Sequence, residues 1–291
     1  MIRFLFLLCI LIPISNNAYA EGLKKSLTWV GCGISKKAFV GALAKAYEEK
    51  TGIHINIEGG GATRGIRDVA KGISDIGGTC RHKITGDDEK KARLTPVGWD
   101  AIVVITHKDN PVKNIAFYDL RSVFRGEITN WKELGGRDSP IQVVARKGKI
   151  SGVGRMAREL IFKNPDEEFL KKAILLKSSG PVEKYIEDNL NSIALSGISS
   201  AKKRQVSFLT IDHHSPDYEN VASGIYPLHR PLYLVSHEDT PDEVLDFIRF
   251  ATSIEGQTII KNEGTVNLRD GAKLWPTYRK KMKDARQEGN F

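Results

Sequence analysis

Three times in this chain a short apolar run passes through a loop rich in Gly, Ser or Thr and on into a helix. The loops are Gly31–Ser35, Gly59–Gly65 and Arg146–Gly154. This recurrence constrains the fold more than any other feature. Leu27–Val30 reads as a buried strand, after which Phe39, Val40, Leu43, Ala46 and Tyr47 fall on one helical face at spacings of three and four. That helix stops near Thr51-Gly52. Ile53–Ile57 alternates as a second strand, Ile66, Val69 and Ala70 begin a second helix, and Asp75–Gly78 is a short third strand. Ala101–Thr106 is a continuous apolar run, as in a parallel strand covered on both faces. The order β-α-β-α-β defines an α/β class.

Further along, Phe117–Phe124 reads as a helix and Ile141–Ala145 as a strand. Val153, Met156, Ala157, Leu160 and Ile161 form an amphipathic stripe whose N-terminus lies at Ser151-Gly152. Ile193–Leu195 and Leu232–Val235 are apolar strands, and Val244, Phe247, Ile248 and Ala251 mark a helix. Lys273–Phe291 reads as a basic polar tail, with Arg279-Lys280-Lys281 and Lys283 on a solvated helix end.

A strand–loop–helix junction offers unpaired N–H groups and a partial positive charge, glycines let a ligand approach, and hydroxyls add donors. Such a loop can merely cap its helix. Three of them, converging at the carboxyl ends of strands, form an oxyanion cradle. Arg146 adds a bidentate fork.

The first twenty residues form a separate unit. Arg3, the apolar run Phe4–Ile12 and Ala18-Tyr19-Ala20 before Glu21 are the parts of a secretory signal cleaved after Ala20. The run is too short to span a bilayer comfortably. A periplasmic, soluble mature protein is expected. At 291 residues, two domains are the starting expectation. Lys+Arg 44 against Asp+Glu 35 leaves a diffuse +9, which does not point to nucleic acid.

Enzyme signatures are missing: no G-x-S-x-G elbow, H-E-x-x-H, phosphate loop of the G-x-x-x-x-G-K-[ST] type or C-x-x-C occurs. His213-His214 lies in the polar stretch Asp212–Asn220 and reads as a solvated loop, so no metal and no cofactor are expected.

Phe117–Gly136 carries G-E-I-T-N-W-K-E-L-G-G, Tyr226–Tyr233 reads Y-P-L-H-R-P-L-Y, and Ser253–Gln257 reads S-I-E-G-Q. These segments resemble the phosphate-type substrate-binding proteins of ABC transporters over roughly residues 27–270. The resemblance implies a two-lobed periplasmic-binding-protein fold, each lobe a mainly parallel sheet flanked by helices. It implies lobe one from 21–106 and 225–291 and lobe two from 107–224. The chain would leave lobe one near Thr106–Asp109 and return near Gly224–Leu228, and ligand would bind between lobes that close about a hinge.

Carried onto this chain, the resemblance puts Gly33, Ser35, Thr63, Cys80, Arg146, Ser151, Gly152 and Val153 at the ligand. Cys80 stands where the family has Ser or Asp, Ala62 where it has a hydroxyl, and Val153 where it has Thr. Arg146 precedes Ser151 by one position more than the family spacing, so either Arg146 or Lys147 could meet the anion. Lys is no substitute for a fork. The implied function is a monomeric receptor that delivers phosphate or a related oxyanion to an ABC permease. The alternative is a receptor of the same fold that signals through a membrane sensor.

Cys32 and Cys80 follow neighbouring strands at the rim of the same cleft. They read as a disulfide, as reduced thiols for a soft ligand such as arsenite, or as unpaired buried cysteines.

Overall fold

The computed structural model describes residues 26–288. The expected signal segment 1–20 and its cleavage after Ala20 lie outside the described residues. The strands are β1 (Ser26–Gly31), β2 (His54–Gly59), β3 (Ile76–Thr79), β4 (Ala92–His107), β5 (Asn114–Ile115) and β6 (Gln142–Arg146). They continue with β7 (Ile174–Leu176), β8 (Ser192–Gly197), β9 (Val206–Phe208), β10 (Thr210–Ile211) and β11 (His229–His237).

The main sheet runs β2-β1-β3-β11-β4-β8-β6-β7, with β9 on β4. Its first half joins β1 in parallel to β2 and β3. Its second half joins β6 in parallel to β7 and β8. The antiparallel pairings of the main sheet all involve β4 or β11. These two strands link the halves: β4 lies against β11 as far as Ala101 and against β8 from Ile102 onward. This exchange falls ahead of Thr106–Asp109. The apolar run Ala101–Thr106, expected in a parallel setting, is antiparallel to β11 at Ala101, to β8 from Ile102 and to β9 from Ile105. Burial on both faces gives the same unbroken apolar run in either direction, so hydropathy cannot distinguish them.

The motifs that carry the family resemblance sit at these crossings. Tyr226 is buried and its hydroxyl donates to the Ile102 carbonyl at 2.9 Å, beside the backbone bond from Ile102 N to Leu228 O. Arg230 and Asp100, each fully buried on the paired β11 and β4, form an ion pair at 3.0 Å. Asn130 caps the turn Trp131–Leu134 in a capping box that seats the buried Trp131.

Helices cover both faces. The run Gly33–Ser35, Lys36–Val40 and Gly41–Thr51 is continuous and stops at Gly52 in the left-handed conformation. The helix Ala62–Ala70 sits so close to the sheet that a Cβ at Gly77 would meet the Gly65 carbonyl at 2.0 Å, so glycine is required there.

The C-terminal segment corrects the reading as a polar tail. Leu274–Glu288 is a helix, and Leu274, Tyr278, Met282 and Ala285 are buried. Trp275 and Tyr278 pack edge-on against Trp99. Lys281 is not solvated; its ammonium donates to the Pro227 carbonyl at 2.7 Å. The basic residues between these buried positions masked a helical stripe at i, i+4, i+8 and i+11.

Candidate functional site

Between the two halves lies a cavity of about 490 Å3. Helix N-termini following β1, β2, β6 and β7 open onto it, at Gly33, Ala62, Gly152 and Ser179. Its wall carries three cationic side chains, Lys37, Arg146 and Lys177, and no carboxylate among the described residues. Backbone N–H groups, helix dipoles and a fixed guanidinium thus face one volume from several directions, an arrangement suited to an anion.

Arg146 closes β6, and its Nη1 donates to the Leu176 carbonyl at 3.3 Å, which fixes the head at the wall. Burial lowers its pKa somewhat, while the two cysteines oppose that shift; a guanidinium remains charged throughout. Lys147 is not among the residues that face the cavity. Lys37 reaches across to Ser200 Oγ at 3.1 Å and to the buried Glu183 at 3.8 Å. Ser196 and Ser200 donate to that same carboxylate.

Of the residues expected at the ligand, Gly33, Cys80, Arg146, Gly152 and Val153 line the cavity. Ser35, Thr63 and Ser151 do not. Ser35 is fully buried and hydrogen-bonded to Cys32 Sγ, through its N–H at 3.3 Å and its hydroxyl at 3.0 Å. Ser151 caps the helix Gly152–Ala157 by accepting from Gly154 N. The Thr63 hydroxyl donates to the Ile150 carbonyl at 2.8 Å. Arg81 Nε donates to the same oxygen at 2.9 Å.

These bonds join the first half of the molecule to the second. The Arg81 fork is itself fixed on the buried Glu89 at 2.7 and 2.9 Å. Burial works against ionisation of Glu89, but the Arg81 fork and the Ile84 N–H hold its carboxyl below the usual range. His82 adds another crossing bond, to Glu159 at 3.3 Å. The halves are therefore clasped shut.

Lys177, Ser178, Ser179 and Gly180, not among the expected site residues, also line the cavity. The signal was there: Ile174–Leu176 runs through Lys-Ser-Ser-Gly into the helix Ser179–Asp188, a fourth loop of the same kind. Lys37 and Ser200 had no such signal, because only the packing of the two halves brings them to the wall.

The expected Cys32–Cys80 disulfide is not formed. Both are free, buried thiols on the cavity wall. Cys32 Sγ is engaged as the helix cap, accepting from Ser35 N, and the Cys80 thiol is its electrostatic neighbour. Burial pushes the Cys32 pKa up, but the neighbouring Cys80, the hydrogen bonds from Ser35 and the Arg230 charge outweigh it and bring the thiol down to about 7. The pKa of Cys80, buried beside Cys32, is pushed well up by that neighbour and by burial.

Fold and cavity together define a two-lobed binding protein whose cleft is built for an anion. The family model of the PBP superfamily domain matches residues 31–255, and the chain belongs to that superfamily. The phosphate-binding protein PstS of Borreliella burgdorferi is 29% identical over 217 residues, covering 72% of this chain and 78% of its own length. PstS of Bacillus subtilis is 27% identical over 262 residues, covering 88% of this chain and 86% of its own. A solved structure from Clostridium perfringens, described as a phosphate ABC transporter substrate-binding protein with bound phosphate, is 30% identical. It superposes with a TM-score of 0.77 over 84% of this chain and 99% of its own.

Proposed function

We propose that this protein is the periplasmic receptor that binds phosphate or a closely related oxyanion and presents it to an ABC importer. The observation that carries the reading is the wall of the cavity: four helix N-termini with Arg146, Lys37 and Lys177, and no carboxylate among the described residues. The relatives supply the ligand class, since they are phosphate-binding proteins by name and one holds phosphate. The protein acts by binding and closing, not by turnover. The lobes are about 21–101 with 225–291 and 102–224, the chain acts as a monomer, and the signal is removed after Ala20.

In this reading Gly33, Cys80, Arg146, Gly152 and Val153 contact the anion, joined by the Ser178–Gly180 loop. Arg146 forks onto two oxygens while backbone N–H groups of the cradling loops take the others. Closure excludes water, which strengthens each of these bonds. Thr63 and Arg81 act on closure through Ile150. Ser35 and Ser151 hold their loops in shape.

The test is calorimetric titration of anion-stripped protein with inorganic phosphate. Saturable binding near or below micromolar is expected. No heat at millimolar phosphate overturns the reading, and sulfate and arsenate in parallel define the selectivity.

A further inference from the structure

The cavity can develop a negative charge of its own in one place, the dithiol. Cys32 and Cys80 lie on the same wall as Arg146, at 4% and 1% exposure, near enough for the charge of one to act on the other. Ser35 adds an N–H and a hydroxyl to Cys32 Sγ. Arg230 stands behind them on β11. Its Nη2 pairs with Asp100 Oδ2, while Nε and Nη1 are buried without a hydrogen-bond partner. The other Asp100 oxygen is occupied by Ser199. Arg230 is therefore a buried cation with unfilled donors, close enough for its charge to act on both thiols.

We infer that the Cys32–Cys80 pair is a proton switch of the anion site: the pair holds a single proton in a fraction of empty molecules and takes up a second when the anion enters. The inference rests on the oxyanion reading above. A thiolate and an oxyanion in one cavity would repel each other and compete for the Arg146 charge. The anion removes that conflict by favouring the state in which Cys32 is a thiol. The step is a protonation of Cys32 Sγ, with the proton drawn from solvent or carried in on the ligand. No bond forms between sulfur and the anion, and nothing is oxidised.

The groups that face Cys32 agree with this. From its own helix come Ser35 and Lys37, from the end of β3 Cys80, from the end of β6 Arg146, and from β11 and β4 the Arg230–Asp100 pair. The nearby carboxylates Glu183 and Asp100 are already engaged, Glu183 by Lys37 and two serines and Asp100 by Arg230 and Ser199. The titration of Cys32 near neutrality puts the switch within reach of ordinary pH.

The experiment is titration of the wild-type chain and of Cys32→Ser with inorganic phosphate from about pH 6 to about pH 9, in buffers of different ionisation enthalpy. Phosphate's own ionisation contributes equally to both proteins, so the difference isolates Cys32. Wild type is expected to take up as much as one proton more per bound anion than Cys32→Ser above neutrality. Its dissociation constant should rise up to about tenfold more per pH unit. On wild type alone, saturating phosphate near pH 8 should reduce the ultraviolet absorbance of the thiolate.

Equal proton counts with intact binding, or an unchanged thiolate signal, would overturn the switch and leave the oxyanion reading standing. Failure of wild type to bind phosphate at any pH would overturn both.

Discussion

The Thr63 hydroxyl donates to the Ile150 carbonyl at 2.8 Å between the two halves of the molecule, and Arg81 Nε donates to the same oxygen at 2.9 Å. One backbone oxygen from the second half of the molecule is thus gripped by two side chains from the first. Thr63→Val keeps the volume and deletes one donor. The expected cost is about 1 kcal/mol of closure, read as a roughly fivefold weaker affinity for phosphate. Small-angle scattering should detect a larger open fraction of the free protein. If affinity fell far more with no change in dimensions, Thr63 would be touching the anion directly.

A second prediction concerns Gly152. A Cβ there would stand 2.4 Å from Cys80 Sγ and 2.9 Å from Ala62 Cβ, both contributed by the opposing half. Gly152→Ala should therefore hold the cleft ajar and weaken binding, with little effect on thermal unfolding. Adding Cys80→Ala should recover part of the affinity, since it removes the nearer of the two obstacles. Undiminished phosphate binding by Gly152→Ala would mean that the bound state is more open than the structure.

Arg146 and Lys147 separate by calorimetry. Arg146→Ala removes a half-buried charged donor from the cavity wall, with an expected loss of about 2–5 kcal/mol, or roughly thirtyfold and upward in affinity. Arg146→Lys should restore only a fraction, because an ammonium cannot fork across two oxygens. Lys147→Ala, away from the wall, should stay within about twofold. A larger effect at Lys147 than at Arg146 would put the anion elsewhere.

His229 gives a stability signature. Its ring is fully buried and packs edge-on to Trp99, and its Nδ1–H donates to the Tyr226 carbonyl at 3.0 Å. Burial, with the Lys281 charge nearby, lowers its pKa to about 4 from an ordinary 6.5. Below 6.5 the unfolded chain binds a proton that the folded chain refuses. Stability from this group is therefore complete above pH 6.5 and is lost as pH falls to 4, by about 3 kcal/mol in total. Denaturant midpoints measured across that window should fall more steeply for wild type than for His229→Phe.

Much of the first half of the fold was legible because its signals are local. Leu27–Val30, the Phe39–Tyr47 stripe and the Gly52 stop each record a choice made within a few residues, and each element is present. The Tyr226–Tyr233 and Phe117–Gly136 segments pointed to the family, and their side chains turn out to hold the crossing strands and a capped turn. The tail was misread because Arg279, Lys280 and Lys283 dominate its composition, while its buried residues recur only once per turn.

What the sequence determined by itself was the class of protein and the loops that cradle a ligand. Strand, glycine-rich loop and helix N-terminus are contiguous in the chain, so backbone geometry alone assembles each cradle. The tertiary structure decided which side chains line the cavity. Ser35 and Thr63 look like ligand donors in their own loops, yet the structure gives them to Cys32 and Ile150. Lys37 and Ser200 enter the wall because two halves of the sheet, joined by β4 and β11, close upon each other. A hydroxyl bonds to whatever partner the packing brings within about 3 Å, and that partner is distant in sequence.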